Sequence, residues 1–179
     1  APRRLAEYRI IAFVGGFAFG DHLGAGFVLA NKIRWRLYDQ LLAFIERGGF
    51  ALGICNGFQT MVRLGLLPGL DGDYRTPRAT LAPNARLGYR DAWVRLKAEP
   101  ESPCLWTQGI DSLELPARHG EGKLLAEPAI ISRLEQGGQV GLEDPLAQLP
   151  DPVVGGRGRD QRHAVLLRDQ RGGGGGGRQ

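Results

Sequence analysis

The stretch that most constrains this chain is residues 51–59, Ala-Leu-Gly-Ile-Cys-Asn-Gly-Phe-Gln. Its first four residues form a short apolar run, which reads as a buried strand. Cys55 follows directly. Asn56 and Gly57 allow a tight turn, and Phe58, Met61 and Val62 then recur at helical spacing. A nucleophile on a strand-turn-helix bend is lifted out of the sheet. The first helical turn aims backbone N–H groups and a positive dipole end at it. Such a setting favours the thiolate, the reactive form of cysteine. The competing reading makes Cys55 a small buried core residue; glycine at both Gly53 and Gly57 argues against it.

The rest of the chain arranges itself around that bend. Residues 10–14 are a continuous apolar run, as in a parallel strand buried on both faces, and they feed straight into Gly15-Gly16. A strand followed by a glycine turn is the ligand-binding position of open α/β sheets. The turn lacks the Gly-Lys-Ser/Thr of a nucleotide loop. Ile33, Leu37, Leu41 and Ile45 recur every fourth residue with Leu42 beside them, which predicts one amphipathic helix of about four turns. Gly48-Gly49 ends it. Strand, helix, strand in that order implies a right-handed parallel crossover, so both glycine-bearing strand ends share one edge of the sheet.

Further along, the helix after Cys55 runs to Leu64 with Gly65 as its stop. Trp93 to Lys97 and Leu113 to Leu115 alternate as strands do, the second ending before Pro116. His119-Gly120-Glu121-Gly122 follows a strand end, and Ile130, Ile131 and Leu134 predict a short helix. Cys104 sits in a Ser-Pro-Cys turn without a glycine elbow and reads as a bystander. Residues 151–179 mix glycine with arginine and end near six consecutive glycines. Such composition buries too little to offset its ordering entropy, so disorder is expected, with a short strand at residues 164–167.

Composition bounds the function. One domain is expected at 179 residues, and 42% hydrophobic with 23% charged residues is ordinary for a soluble protein. Two distant cysteines give no disulfide framework and no metal-ligand spacing, so a metal is not expected and a reduced, cytoplasmic setting is the simpler reading. No apolar stretch approaches the roughly 20 residues that span a bilayer, so no membrane partner is expected. Of the net charge of +4, residues 151–179 carry +3. The basic balance belongs to the tail, and the folded part gives no reason to invoke nucleic acid.

Three blocks carry a resemblance. Gly53-Ile54-Cys55-Asn56-Gly57-Phe58-Gln59 resembles the nucleophile motif of class I glutamine amidotransferases, in the version found in the glutaminase part of phosphoribosylformylglycinamidine synthase. Gly15-Gly16-Phe17-Ala18-Phe19-Gly20-Asp21 resembles that family's upstream glycine loop, and His119-Gly120-Glu121-Gly122 a third block. The resemblance implies an α/β fold, an open and mainly parallel sheet flanked by helices. It implies a glutaminase domain over residues 1–140 and a non-family tail over residues 141–179. Cys55 would be the nucleophile. The backbone at Gly16 and Phe17 would supply oxyanion donors, and Asn56 and Gln59 would help bind substrate glutamine. No cofactor is implied in this domain. Ammonia would pass to a synthetase subunit or domain that uses ATP and magnesium to amidate formylglycinamide ribonucleotide in purine synthesis.

The resemblance also has gaps. Family members begin with a further strand and helix, and end with an Asn-Pro-Asn-Gly-Ser block and a Pro-His-Pro-Glu block that supplies the catalytic histidine and glutamate. This sequence has His22, His119 and His163 only, and His163 lacks the His-x-Glu pattern. The chain therefore reads as a partial copy, and its Gly/Arg-rich end as what a GC-rich gene gives in a shifted frame. His119 and Glu121 have base-and-orienter spacing, although the family's His-Gly-Glu-Gly block is distinct from its triad block. Two alternatives stay open: an inactive remnant that only binds a synthetase partner, and an unrelated hydrolase with a cysteine elbow.

Overall fold

A computed structural model describes residues 4–17, 19, 24–84, 88–143 and 164–165. The chain forms strand β1 (Ile10–Phe13), helices α1 (Phe27–Arg36) and α2 (Tyr38–Glu46), strand β2 (Phe50–Gly53) and helix α3 (Asn56–Leu64). Strands β3 (Ala79–Ala82), β4 (Arg90–Ala98), β5 (Ser112–His119) and β6 (Lys123–Ala126) follow. Helix α4 (Pro128–Gln136) and strands β7 (Val140–Glu143) and β8 (Ala164–Val165) complete the described chain.

The fold is α/β. β1 and β2 pair in parallel, from Ile10 opposite Phe50 to Phe13 opposite Gly53. Bonds from Phe50 N–H to the Arg9 carbonyl (2.9 Å) and from Ile54 N–H to the Phe13 carbonyl (3.0 Å) extend this ladder at both ends. Parallel pairing is confined to these two strands among the described residues. β3 and β6 pair antiparallel, and so do the strands of a third sheet ordered β5-β4-β7-β8.

Two sequence expectations change here. β1 is not buried on both faces: Ile11 and Phe13 are half-buried against the main core, whereas Ile10 is 54% exposed. The helices cover one face of this small sheet, so an unbroken apolar run ends up half-solvated. The single four-turn helix is two helices. Leu37, at φ −133° and ψ −3°, turns the chain between α1 and α2. The hydrogen-bond ladder continues across the bend, from Leu37 N–H to Ile33 and from Leu41 N–H to Leu37. The adjacent Tyr38 hydroxyl reaches the Leu64 and Tyr74 carbonyls at 2.7 and 2.8 Å, which fixes α2 against the end of α3.

α3 is the central element. Asn56, Gly57, Gln59, Thr60, Met61, Val62 and Leu64 are all buried. Gly65 caps it in the left-handed conformation, with Leu66 N–H returning to the Met61 carbonyl at 3.1 Å. Leu41, Phe44 and Ile45 from α2, and Leu66, Leu70, Leu81, Leu134 and Val140 from later elements, complete the main core. A second core of Val94, Leu96, Ala98, Ala117 and Leu142 lies on one face of the third sheet.

β5 continues through Pro116, which lies opposite Trp93. It can do so because β5 is the outer strand of its sheet, where a missing N–H leaves no ladder bond unmade. β3 and β6 had no signal in the sequence: Ala-Thr-Leu-Ala and Lys-Leu-Leu-Ala are too short to show a period. The strand expected at residues 164–167 is present as Ala164–Val165, paired with β7. The rest of residues 151–179, including His163, lies outside the described residues, as do Ala18, Gly20, Asp21 and His22.

Candidate active site

Cys55 stands between β2 and α3 as the N-cap of the helix, at φ 53° and ψ −116°. This is a positive-φ conformation that non-glycine residues rarely adopt. Its carbonyl accepts the N–H of Gln59 at 3.1 Å while its thiol is exposed. The chain can bend this tightly because Gly53 and Gly57, two positions to either side, lack side chains. A Cβ on Gly57 would overlap the Phe13 carbonyl, and one on Gly53 would lie 2.6 Å from the Met61 sulfur and 2.8 Å from Phe58 Cα. The start of α3 is thus pressed directly onto the ends of β1 and β2.

The glycine turn after β1 lies against the same bend. A Cβ on Gly15 would be 3.2 Å from the Cys55 Cβ. Gly16 follows at φ +130°, with open space where a side chain would stand. Phe17 is 60% exposed, and its ring leans on Tyr89 at 6.1 Å. The common strand edge inferred from the crossover therefore brings Gly15 and Cys55 together.

The third block closes in from the end of β5. The Cys55 thiol lies 3.9 Å from the Arg118 carbonyl. Gln59 Nε2 donates to the Glu121 carbonyl at 2.9 Å, and Asn56 Nδ2 to Gln59 Oε1 at 3.4 Å. Asn56 and Gln59 are both buried. The Glu121 carboxylate accepts the N–H of Ala25 at 3.1 Å and Arg63 Nη2 at 3.4 Å. His119 takes a different partner, Asn84 Oδ1, at 3.0 Å from Nδ1. Its ring packs on Gly122 and its Nε2 is buried. Burial, helped by the Arg90 charge, holds the imidazole below its ordinary titration range. Among the described residues no three His, Cys, Asp or Glu side chains gather as a metal site, and no helix is long and apolar enough to cross a membrane.

Residues 1–143 match the CobB/CobQ-like glutamine amidotransferase domain. The chain belongs to this family. Phosphoribosylformylglycinamidine synthase subunit PurQ of Dehalococcoides mccartyi is 50% identical over 133 residues, 74% of this chain and 51% of that protein. The subunit of the same name from Methanococcus maripaludis strain C7 is 41% identical over 138 residues, 77% of this chain and 50% of that one. The chain thus spans about half the length of the curated relatives it matches. A solved structure of PurLQS from Thermotoga maritima superposes with a TM-score of 0.61 at 24% identity, covering 93% of this chain and 70% of that one, which bears on the fold.

Within this glutamine amidotransferase domain, all three motif blocks fall inside the matched region. Two residues of the site escaped the sequence reading. Arg63 lies eight positions after Cys55 on α3, where a lone arginine passes for a solvent-facing residue. It binds Thr80 Oγ1 (3.0 Å), the Leu81 carbonyl (3.3 Å) and Glu121. Asn84 stands in Ala-Pro-Asn, which reads as an ordinary turn. Neither role has a local pattern, because the partners lie 58 and 35 residues away.

Proposed function

We propose that this chain is the glutaminase part of a phosphoribosylformylglycinamidine synthase. The observation that carries the reading is Cys55 itself. It is an exposed thiol on a strained bend at a helix N-terminus, with a glycine turn packed against it, inside the matched amidotransferase region. In this reading the Cys55 thiolate attacks the side-chain amide carbon of glutamine. Oxyanion charge develops beside the first N–H groups of α3, at Asn56, and the backbone at Gly16 and Phe17. Ammonia leaves, and water hydrolyses the resulting glutamyl thioester to glutamate and free thiol. Asn56 and Gln59, buried in the first turn of α3, would help to hold the substrate glutamine. His119 and Glu121, held by Asn84 and Arg63, support a shaping role for the third block better than base chemistry.

The name of the relatives, a synthase subunit, supports a synthetase partner that consumes the ammonia. ATP and magnesium would belong to that partner, and a reducing cytoplasm would keep the thiol competent. The test is covalent capture by a diazoketone analogue of glutamine, with peptide mapping and an ammonia assay. Cys55 should be modified, glutamine should slow the modification, and Cys55→Ala should abolish it. Buried Cys104, whose sulfur accepts the Trp106 N–H at 3.3 Å, should stay unlabelled. Ammonia release by the chain alone should be slow, since general base help is typically worth about 10²–10⁴ in rate. Equal labelling of both cysteines would refute the site. Robust turnover lost in His119→Ala would make His119 the base.

A further inference from the structure

We infer that Asn84 is a positioning residue, whose side chain holds the 118–122 turn against the Cys55 bend so that a glutamine side chain can meet the thiol. This rests on the glutaminase reading above.

The side chain of Asn84 has every hydrogen-bonding position occupied, three of the four by that turn and one by Gly88. Nδ2 donates to the His119 carbonyl at 2.9 Å and to the Gly88 carbonyl at 3.2 Å. Both partners can only accept, so the orientation of the amide is settled. Oδ1 is then the acceptor, taking the Gly122 N–H at 3.0 Å. His119 Nδ1, 3.0 Å from the same oxygen, must carry a proton to donate. The backbone N–H of Asn84 adds a bond to the Gly120 carbonyl at 3.0 Å. One residue thus grips both ends of a four-residue block and fixes the tautomer of its histidine.

The opposite side of the turn is tied to α3. Gln59 holds the Glu121 carbonyl, and Ala25 N–H with Arg63 hold its carboxylate. One residue before this block, the Arg118 carbonyl lies 3.9 Å from the thiol. The Arg118 side chain points elsewhere, to Asp91 at 2.9 Å. Losing the Asn84 anchor leaves the Glu121 anchor in place. The turn should therefore swing, changing the wall beside Cys55, while the helices stay as they are.

The experiment uses the full 179-residue chain with Asn84→Ala and Asn84→Asp. Aspartate keeps both acceptor bonds and loses the two donors. Three quantities are read: hydrogen exchange across residues 118–122 and across α2, glutamine-competed capture of Cys55 by the diazoketone analogue, and alkylation of Cys55 by iodoacetamide. For Asn84→Ala we expect faster exchange in the turn with α2 unchanged. Analogue capture should fall about tenfold or more while iodoacetamide alkylation changes by less than about twofold, because orientation and not thiol access is lost. Asn84→Asp should fall between wild type and alanine. Turn exchange that does not respond to alanine, or both reagents slowing equally, would overturn the positioning role with glutamine competition in the wild type intact. Wild-type capture that glutamine fails to slow would instead bring down the glutaminase reading, and the positioning role with it.

Discussion

Cys55 holds a backbone conformation that would suit glycine better than cysteine, with φ 53° and ψ −116°. The neighbours allow it, since Gly53 and Gly57 let α3 sit directly on the ends of β1 and β2. Strain of this kind typically amounts to about 1–3 kcal/mol. Cys55→Gly should therefore be more stable than Cys55→Ala by about 1 kcal/mol in urea unfolding, although both lack the thiol. Equal stability would mean that the bend is unstrained. His119 gives a pH dependence with a definite sign. Its folded-state titration lies below the ordinary value of 6.5, because burial disfavours the charged form and Arg90 adds to it. The unfolded chain then binds more protons below that value. The contribution is complete above the unfolded titration range and is lost as pH falls through it. Unfolding midpoints at acid and neutral pH should show a steeper acid loss for wild type than for His119→Gln.

At the scale of elements, α3 decides the architecture. It caps one strand pair, carries Cys55 at its start and buries all but two of its nine residues. Gly57 is where it touches β1. Gly57→Ala would drive a methyl into the Phe13 carbonyl, and the helix would have to lift off the sheet. A loss of about 1–3 kcal/mol is expected from urea unfolding, with slower analogue capture at Cys55 in the surviving fold. A neutral effect would mean that α3 is not pressed onto β1. The bend at Leu37 makes a related point. The four-residue apolar spacing ran on, but Tyr38 had two carbonyls to reach, and the chain turned to reach them.

At the scale of the molecule, the strands are divided among three sheets. Among the described residues neither β1 nor β2 has a second neighbour. Ile10, opposite Phe50 in the ladder, is 54% exposed, and Val14 beyond the strand is 70% exposed. An open apolar edge of this kind is a template for association. Light scattering should show the chain associating as its concentration rises, and Ile10→Lys should reduce that association without slowing iodoacetamide at Cys55. A monomer at every concentration would show that this edge is covered.

The strand-bend-helix around Cys55, the glycine turn after β1, the stop at Gly65 and the fold class were all legible along the chain. Each of these rests on local rules: apolar runs, helical spacing, and glycine where a side chain cannot fit. The family resemblance read from three short motifs held because those motifs are themselves local. Tertiary structure decided the rest. It chose which face of β1 met the core, where the long helical stripe bent, and how β3 and β6 found each other. It also gave His119 to Asn84 and Glu121 to Arg63 and the N–H of Ala25. Those choices depend on partners dozens of residues apart, brought within 3.5 Å by packing around α3, and spacing along the chain carries no record of them.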